Sequence, residues 1–140
     1  MRHLSLAVAS TLLAVGLAAC SDSTSPDELA GTYDVTVFEF TNADSVAQKV
    51  DVVDLGADIE ITITAAGAFT VDVDGDVETG TIAIDGDEVT ITIGGDASTG
   101  TIDQNGDTVT INLDTGITFD FDEDGTDEDA TLRVVMTRQG

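Results

Sequence analysis

A chain of 140 residues with 28 acidic and 4 basic side chains has a formal net charge of -24 at neutral pH. This balance argues against nucleic acid as a partner, because a phosphate backbone is bound by clustered Lys and Arg side chains. The length allows one domain of ordinary size, and 41% hydrophobic residues in strong alternation argue against disorder of the main body.

The N-terminal segment, residues 1–19, has the pattern of a cleavable signal peptide. A short cationic start is followed by an apolar run over residues 4–19, which three hydroxyl side chains interrupt. The run is shorter than the roughly 20 residues that a helix needs to cross the hydrocarbon core, and it ends in small residues. A permanent membrane span is therefore the less favoured interpretation.

The end of this run, Leu17-Ala18-Ala19-Cys20, resembles the lipobox of bacterial lipoproteins. The resemblance implies that the Cys20 thiol carries a diacylglyceryl group and that the chain is cut before it, so that acyl chains anchor the protein to a membrane. The residue after the cysteine is Ser21 rather than Asp, which resembles the Gram-negative sorting rule for export to the outer membrane instead of retention at the inner one. Residues 20–28 then form a flexible polar tether. An ordinary secretory signal with a free thiol at Cys20 is the alternative.

From Gly31 onward, apolar residues recur at every second position, which predicts strands with one apolar face. Ile59 to Thr64 shows the alternation most clearly. Further runs are Phe69/Val71/Val73, Ile82/Ile84, Val89/Ile91/Ile93, Val109/Ile111/Leu113, Ile117/Phe119/Phe121 and Leu132/Val134/Met136. Between them lie Asp-Gly and Asn-Gly turn signals, which are typical of tight hairpins. The pattern predicts an all-β fold, an antiparallel up-and-down meander that closes into a small barrel of about 8-9 strands.

An internal repeat supports this meander, because the sequence of residues 79–93 returns in similar form at residues 99–113. The body begins Leu29-Ala30-Gly31-Thr32-Tyr33, which resembles the Gly-x-Trp start of lipocalin-type barrels with Tyr33 in place of Trp. The run into Arg138 resembles their closing strand with its basic residue. The chain thus resembles the uncharacterised lipocalin-like lipoproteins of environmental bacteria, which implies a lipocalin-like barrel domain over residues 29–140.

Residues 41–57 interrupt the alternation. Val46, Ala47, Val50 and Val53 have helix-like spacing, whereas Val50 and Val52 fit the continuation of a strand. The segment is predicted to be a mouth-covering segment or a short helix. A plain connecting loop is the alternative.

Catalytic residue types are scarce once the signal peptide is removed. His3 leaves with it, and Cys20 is acylated, so neither a Ser-His-Asp nor a Cys-His arrangement is available, and a His-rich zinc site is excluded as well. Hydrolysis by a carboxylate pair needs only Asp and Glu, but nothing singles out a pair among 28 acids. The sequence therefore predicts a protein that is not an enzyme and has no catalytic or cofactor-binding residue.

The most specific polar cluster lies in residues 120–129, where D-x-D-x-D-G matches the first half of an EF-hand-type calcium loop. The candidate Ca²⁺ ligands are Asp120, Asp122, Asp124 and Glu128. The twelfth position is Thr131 instead of the bidentate Glu, and an extended strand would hold Asp120 and Asp122 too far apart, so the chain must curl there. A solvated acidic hairpin loop is the alternative interpretation.

Six aromatic residues are candidates for lining a cavity for a small apolar ligand: Tyr33, Phe38, Phe40, Phe69, Phe119 and Phe121. With no Trp and mainly Ile and Val inside, the sequence favours a filled interior instead. The overall prediction is a lipid-anchored cell-envelope protein that acts as a non-enzymatic binding or structural module. The alternatives are a carrier of a small apolar ligand in the barrel interior and a calcium-dependent module that contacts another envelope protein.

Overall fold

The computed structural model describes residues 26–139. One helical turn, α1 (Pro26–Leu29), precedes nine strands in these residues: β1 (Gly31–Asn42), β2 (Lys49–Asp51), β3 (Ile59–Ile63), β4 (Ala68–Val73), β5 (Asp76–Asp85), β6 (Glu88–Ile93), β7 (Asp96–Asn105), β8 (Thr108–Phe119) and β9 (Glu128–Arg138). Within the described part of the chain, no helix is long and apolar enough to cross a membrane.

Eight of the nine strands described close into an antiparallel barrel. Strand β1 pairs with β3, each later strand pairs with the next, and β9 pairs back with β1 from Tyr33 opposite Arg138 to Asn42 opposite Ala130. Strand β2 extends the barrel wall, because it pairs with Glu39–Thr41 on the edge of β1 that β3 leaves free. The predicted up-and-down barrel of 8-9 strands is confirmed.

The alternating apolar residues form the core of the barrel. In β3, for example, Ile59, Ile61 and Ile63 are no more than 2% exposed, while Glu60 between them faces solvent. Fully burying an aliphatic side chain of this size contributes about 1.5–3 kcal/mol, so these inner positions supply most of the driving force for closure. The polar outer positions keep the same strands hydrated.

A bulge in β1 changes which of its side chains face inward. Val35 lies opposite Met136 and Val37 opposite Val135, so Thr36 is an extra residue. Its hydroxyl donates a hydrogen bond of 3.2 Å to the Val135 carbonyl. Before the bulge the inward positions have odd numbers, and after it they are even, which brings Phe38 into the barrel.

The repeated hairpin places two glycines, Gly80 and Gly100, at equivalent inner positions of β5 and β7. A Cβ atom on Gly100 would overlap the carbonyl oxygen of Asn112, and one on Gly80 would overlap that of Thr92. The neighbouring backbone thus occupies the space that a side chain would need, as happens where a sheet bends sharply to close a barrel. The repeat supplies two of these bends.

The barrel has two different ends, because successive turns alternate between them. The closed end carries the turns at residues 64–67, 86–87 and 106–107 and is covered by α1, whose Leu29 is completely buried. The loop end carries residues 43–48, 52–58, 74–75, 94–95 and 120–127. The polypeptide therefore enters the barrel at the end opposite the long loops.

A hydrogen-bonded group, here called the Arg138 cluster, fastens α1 to the closed end. The Tyr33 hydroxyl donates to the Leu29 carbonyl at 2.7 Å, and the Arg138 guanidinium donates to the Tyr33 oxygen at 2.9 Å and to the Glu28 carbonyl at 2.6 Å. The hydrogen bond to Tyr33, followed by electrostatic interaction with the same residue, raises the pKa of Arg138 above its ordinary value. A charge-assisted network thus joins both ends of the described chain.

The segment of residues 41–57 contains the end of β1, the short strand β2 and turns, and the prediction of a short helix there is wrong. The strand interpretation of Val50 holds, because β2 pairs with the free edge of β1. Asp51 continues this pairing with its side chain, since one carboxylate oxygen accepts from the amides of Phe38 and Val53. Sheet pairing therefore overrides the helix-like spacing of the valines.

Candidate functional site

A cavity of about 170 Å³ lies inside the barrel. Its apolar lining consists of Phe38, Ile61, Phe69, Val71, Ile91, Ile93, Ile111, Leu113, Ile117, Leu132 and Val134. The expected filled interior is thus wrong toward the loop end.

The size and lining of the cavity limit what it can hold. A closed apolar cavity of about 150 Å³ remains dry and accepts a benzene molecule, whereas pockets for drug-sized ligands measure about 300–1,000 Å³. The cavity of about 170 Å³ therefore suits an apolar group of roughly six to ten non-hydrogen atoms.

The cavity opens beside the first residues of β7. Of its lining residues within the described chain, Asp96 and Ser98 alone are polar, and Asp96 is exposed to solvent. The ladder between β7 and β8 begins at Thr99, and before it the backbone at Gly116 lies against Ala97 and Ser98, because a Cβ atom on Gly116 would overlap the Ala97 carbonyl oxygen. The Ser98 hydroxyl donates a hydrogen bond of 3.1 Å to the Gly116 carbonyl. We call Asp96 and Ser98 the mouth of the cavity.

A row of half-buried phenylalanines connects the cavity with the acidic loop. The ring of Phe38 contacts Phe40 edge to face with centroids 5.6 Å apart, Phe40 stacks on Phe119 at 4.5 Å, and Phe119 contacts Phe121 at 4.9 Å. Of the six aromatic candidates, Phe38 and Phe69 line the cavity, whereas Tyr33 lies at the closed end. Ring contacts of this kind contribute about 0.5–1.5 kcal/mol each beyond the buried area.

The four predicted calcium ligands lie close together, three in the acidic loop between β8 and β9, residues 120–127, and the fourth, Glu128, at the start of β9. Asp120, Asp122, Asp124 and Glu128 each offer a carboxylate oxygen, and these oxygens all lie within 4.8 Å of one another. The set contains oxygen donors alone, which is the chemistry that Ca²⁺ prefers.

Backbone geometry gives the acidic loop the curl that such a cluster needs. Glu123 and Gly125 adopt left-handed φ angles of 57° and 88°. The two carboxylate oxygens of Asp120 accept hydrogen bonds from the amides of Asp124 and Gly125 at 3.2 and 2.8 Å, and Asp124 accepts from Thr126 at 2.7 Å. The amide of Phe121 donates to Glu128 at 2.8 Å, which ties the loop to β9.

The charge of the loop is concentrated, with seven acids and no basic residue in residues 120–129. The pKa of Asp122 is raised above its ordinary value, first by loss of hydration and then by the negative charges of Asp124 and Glu128, against the lowering effect of the Asp124 amide. A cation placed among these carboxylates would relieve the repulsion.

Some predicted features lie outside the described residues, namely Cys20, the signal peptide and the tether up to residue 25. The predicted tether residues 26–28 belong to α1. Sequence reasoning missed Asp96 and Ser98. The available signal was their even numbering in β7, which places them on the same face as Ile102.

Comparison of the chain with models of protein families, with characterised proteins and with solved structures finds no match.

Proposed function

We propose that this chain is a lipid-anchored protein of the bacterial cell envelope, at the outer membrane rather than the inner one, and a non-enzymatic binding module that carries a small apolar ligand inside its barrel. The cavity of about 170 Å³ is the observation that supports the ligand-carrier function. The lipobox-like segment ending at Cys20 supports the anchor.

The direction of the chain is consistent with this arrangement. Acyl chains on Cys20 would be joined to α1 by a few residues, and α1 covers the closed end. The six Cα–Cα steps from Cys20 to Pro26 reach at most roughly 22 Å when fully extended. The closed end then faces the membrane, and the mouth of the cavity faces away from it, accessible to a ligand.

Filling the cavity tests the carrier function. Val71 is buried and lines the cavity, so Val71→Phe inserts a ring into the space that the ligand needs. We expect Val71→Phe to weaken the binding of benzyl alcohol about tenfold or more, equivalent to about 1.4 kcal/mol. Isothermal titration calorimetry on the purified protein measures this change.

Val77→Phe is the matched control, because Val77 is 56% exposed on β5 and does not line the cavity. This variant is expected to bind benzyl alcohol with the affinity of the unchanged protein. If the unchanged protein does not bind small apolar ligands, or if both variants bind equally well, the carrier function is wrong.

A second candidate function is calcium-dependent interaction with another envelope protein through the acidic loop. The convergence of four carboxylates within 4.8 Å favours it. Loops of extracellular modules bind Ca²⁺ with dissociation constants of about 10⁻⁴–10⁻³ M. At 100 times the dissociation constant, binding stabilises the folded state by about 2.7 kcal/mol, so 10 mM Ca²⁺ is expected to raise the melting temperature by roughly 10 °C relative to EDTA.

Asp122→Asn is expected to remove most of this increase, because it takes one ligand from the cluster. Asp129→Asn is the control, since Asp129 is an exposed neighbour outside the four-residue set and its loss changes the net charge equally. Calorimetry of thermal unfolding with Ca²⁺ and with EDTA measures both variants. An equal effect of the two substitutions would indicate diffuse attraction to the acidic surface, and unchanged melting with Ca²⁺ would exclude the site.

A further inference from the structure

We infer that the ligand of the barrel is a small amphiphilic cation, an amine whose apolar part fills the cavity while its ammonium group lies at the mouth beside Asp96 and Ser98. This inference depends on the proposed carrier function and adds the chemical class of the ligand. It follows from the chemistry of the mouth, from the charge around it and from the volume behind it.

The mouth offers hydrogen-bond acceptors. Asp96 is the one charged residue that lines the cavity within residues 26–139, and its carboxylate accepts hydrogen bonds but donates none when ionised. The Ser98 hydroxyl uses its hydrogen in the bond to the Gly116 carbonyl, which leaves its lone pairs as acceptors. An ammonium group has three donors and no acceptor, so it matches both residues.

The charges around the mouth also favour a cationic ligand over an anionic one. Basic residues within residues 26–139 are Lys49, Arg133 and Arg138, and none of them lines the cavity. Lys49 lies 3.9 Å from the carboxylate of Glu39, and Arg138 is held at the closed end. An anionic ligand would therefore meet a carboxylate at the mouth without a compensating cation. An amine is attracted both by Asp96 and by the field of a chain with a net charge of -24.

The volume sets the size of the apolar part. About 170 Å³ holds one six-membered ring, and Phe38 and Phe69 offer aromatic walls to it. A short chain between ring and nitrogen is enough to place the ammonium at the mouth, because Asp96 and Ser98 are themselves part of the cavity lining. Benzylamine is therefore a suitable probe.

Three probes of nearly equal size separate the contributions of charge and apolar burial. We expect benzylamine to bind about tenfold more tightly than neutral benzyl alcohol, because hydrogen bonds to a charged group are the stronger class, and benzoate to bind more weakly than either. Calorimetric titrations at 0.15 M salt measure the three affinities. Methylammonium, which lacks the ring, reports attraction to the acidic surface and is expected to show no saturable binding.

Asp96→Asn is expected to abolish the tenfold preference for benzylamine while leaving the affinity for benzyl alcohol unchanged. Asp103→Asn is the matched control, because Asp103 is an exposed residue of the same strand that does not line the cavity, and it is expected to retain the preference.

The outcomes distinguish this inference from the function on which it depends. Equal affinities for benzylamine and benzyl alcohol would overturn the amine inference and leave the carrier function intact. A preference that survives Asp96→Asn would overturn it too, because the cation would then lie elsewhere. Absence of binding by all three probes would contradict both proposals.

Discussion

Gly100→Ala is expected to lower the free energy of unfolding by about 3–5 kcal/mol, a large part of the 5–15 kcal/mol typical of a domain. The added methyl group would overlap the carbonyl oxygen of Asn112, and the atoms in conflict belong to backbone on both sides. Relief requires that β7 and β8 move apart, which weakens the ladder between Thr101 and Asn112. Urea unfolding followed by circular dichroism measures the loss.

Two further alanine variants distinguish the cost of steric overlap at the bends from the cost of placing any side chain at a glycine with positive φ. Gly80→Ala is expected to behave like Gly100→Ala, because its methyl would overlap the Thr92 carbonyl in the same way. Gly106→Ala is the control, since its φ of +63° disfavours a side chain but no described atom lies within 4 Å of the added methyl. It is expected to cost about 1–2 kcal/mol. A smaller loss for Gly100→Ala than for Gly106→Ala would contradict the role assigned to these bends.

The strands of this barrel were predictable because most inner positions are occupied by apolar residues, so the alternation is repeated several times along most strands. In Ile59–Ile63 the alternation alone determines which side chains are buried. The bulge at Thr36 was not predictable, because apolar residues occupy both faces around it, at Val35, Val37 and Phe38. Its position is set by pairing with β9, which is distant in sequence. The choice between strand and helix at Val50 stayed open for the same reason, since three residues become a strand only beside a free edge.

The two candidate sites differ in whether their residues are close in sequence. The acidic cluster was predictable, because its four ligands lie within nine residues and the curl comes from Glu123 and Gly125 inside the same loop. The mouth was not predicted, because Asp96 and Ser98 follow Gly94-Gly95 and look like polar turn residues. Their inward direction depends on the pairing of β7 with β6, and the other residues that line the cavity come from strands far apart in sequence.

Tyr33→Ala is expected to be comparably destabilising, by about 3–5 kcal/mol, because the ring is completely buried and its loss leaves a cavity under α1. Tyr33→Phe isolates the hydroxyl group. Without it, the Leu29 carbonyl loses its donor and the Arg138 guanidinium loses one acceptor. The expected cost of the Phe variant is about 1–3 kcal/mol, measured by urea unfolding.

Arg138→Met tests whether the Tyr33 hydroxyl, the Arg138 guanidinium and the carbonyls of α1 stabilise the closed end cooperatively. If the Arg138 cluster is a network, Tyr33→Phe and Arg138→Met should be non-additive, with a coupling of about 1–2 kcal/mol in a double-mutant cycle. Amide hydrogen exchange should at the same time become faster at Leu29, since α1 is held by these bonds. Additive effects with unchanged exchange would show that α1 is retained by the burial of Leu29 alone.

The same variants test whether a change at one end of the barrel affects the other end. The Arg138 cluster lies at the closed end, whereas the mouth opens at the other end beside the turn at residues 94–95. Tyr33→Phe is therefore expected to lower stability and leave the affinity for benzyl alcohol within about twofold, a change of roughly 0.4 kcal/mol. Val71→Phe should lower the affinity even though the Arg138 cluster is unchanged. A tenfold loss of affinity in Tyr33→Phe would instead mean that attachment of α1 controls the shape of the cavity from the opposite end.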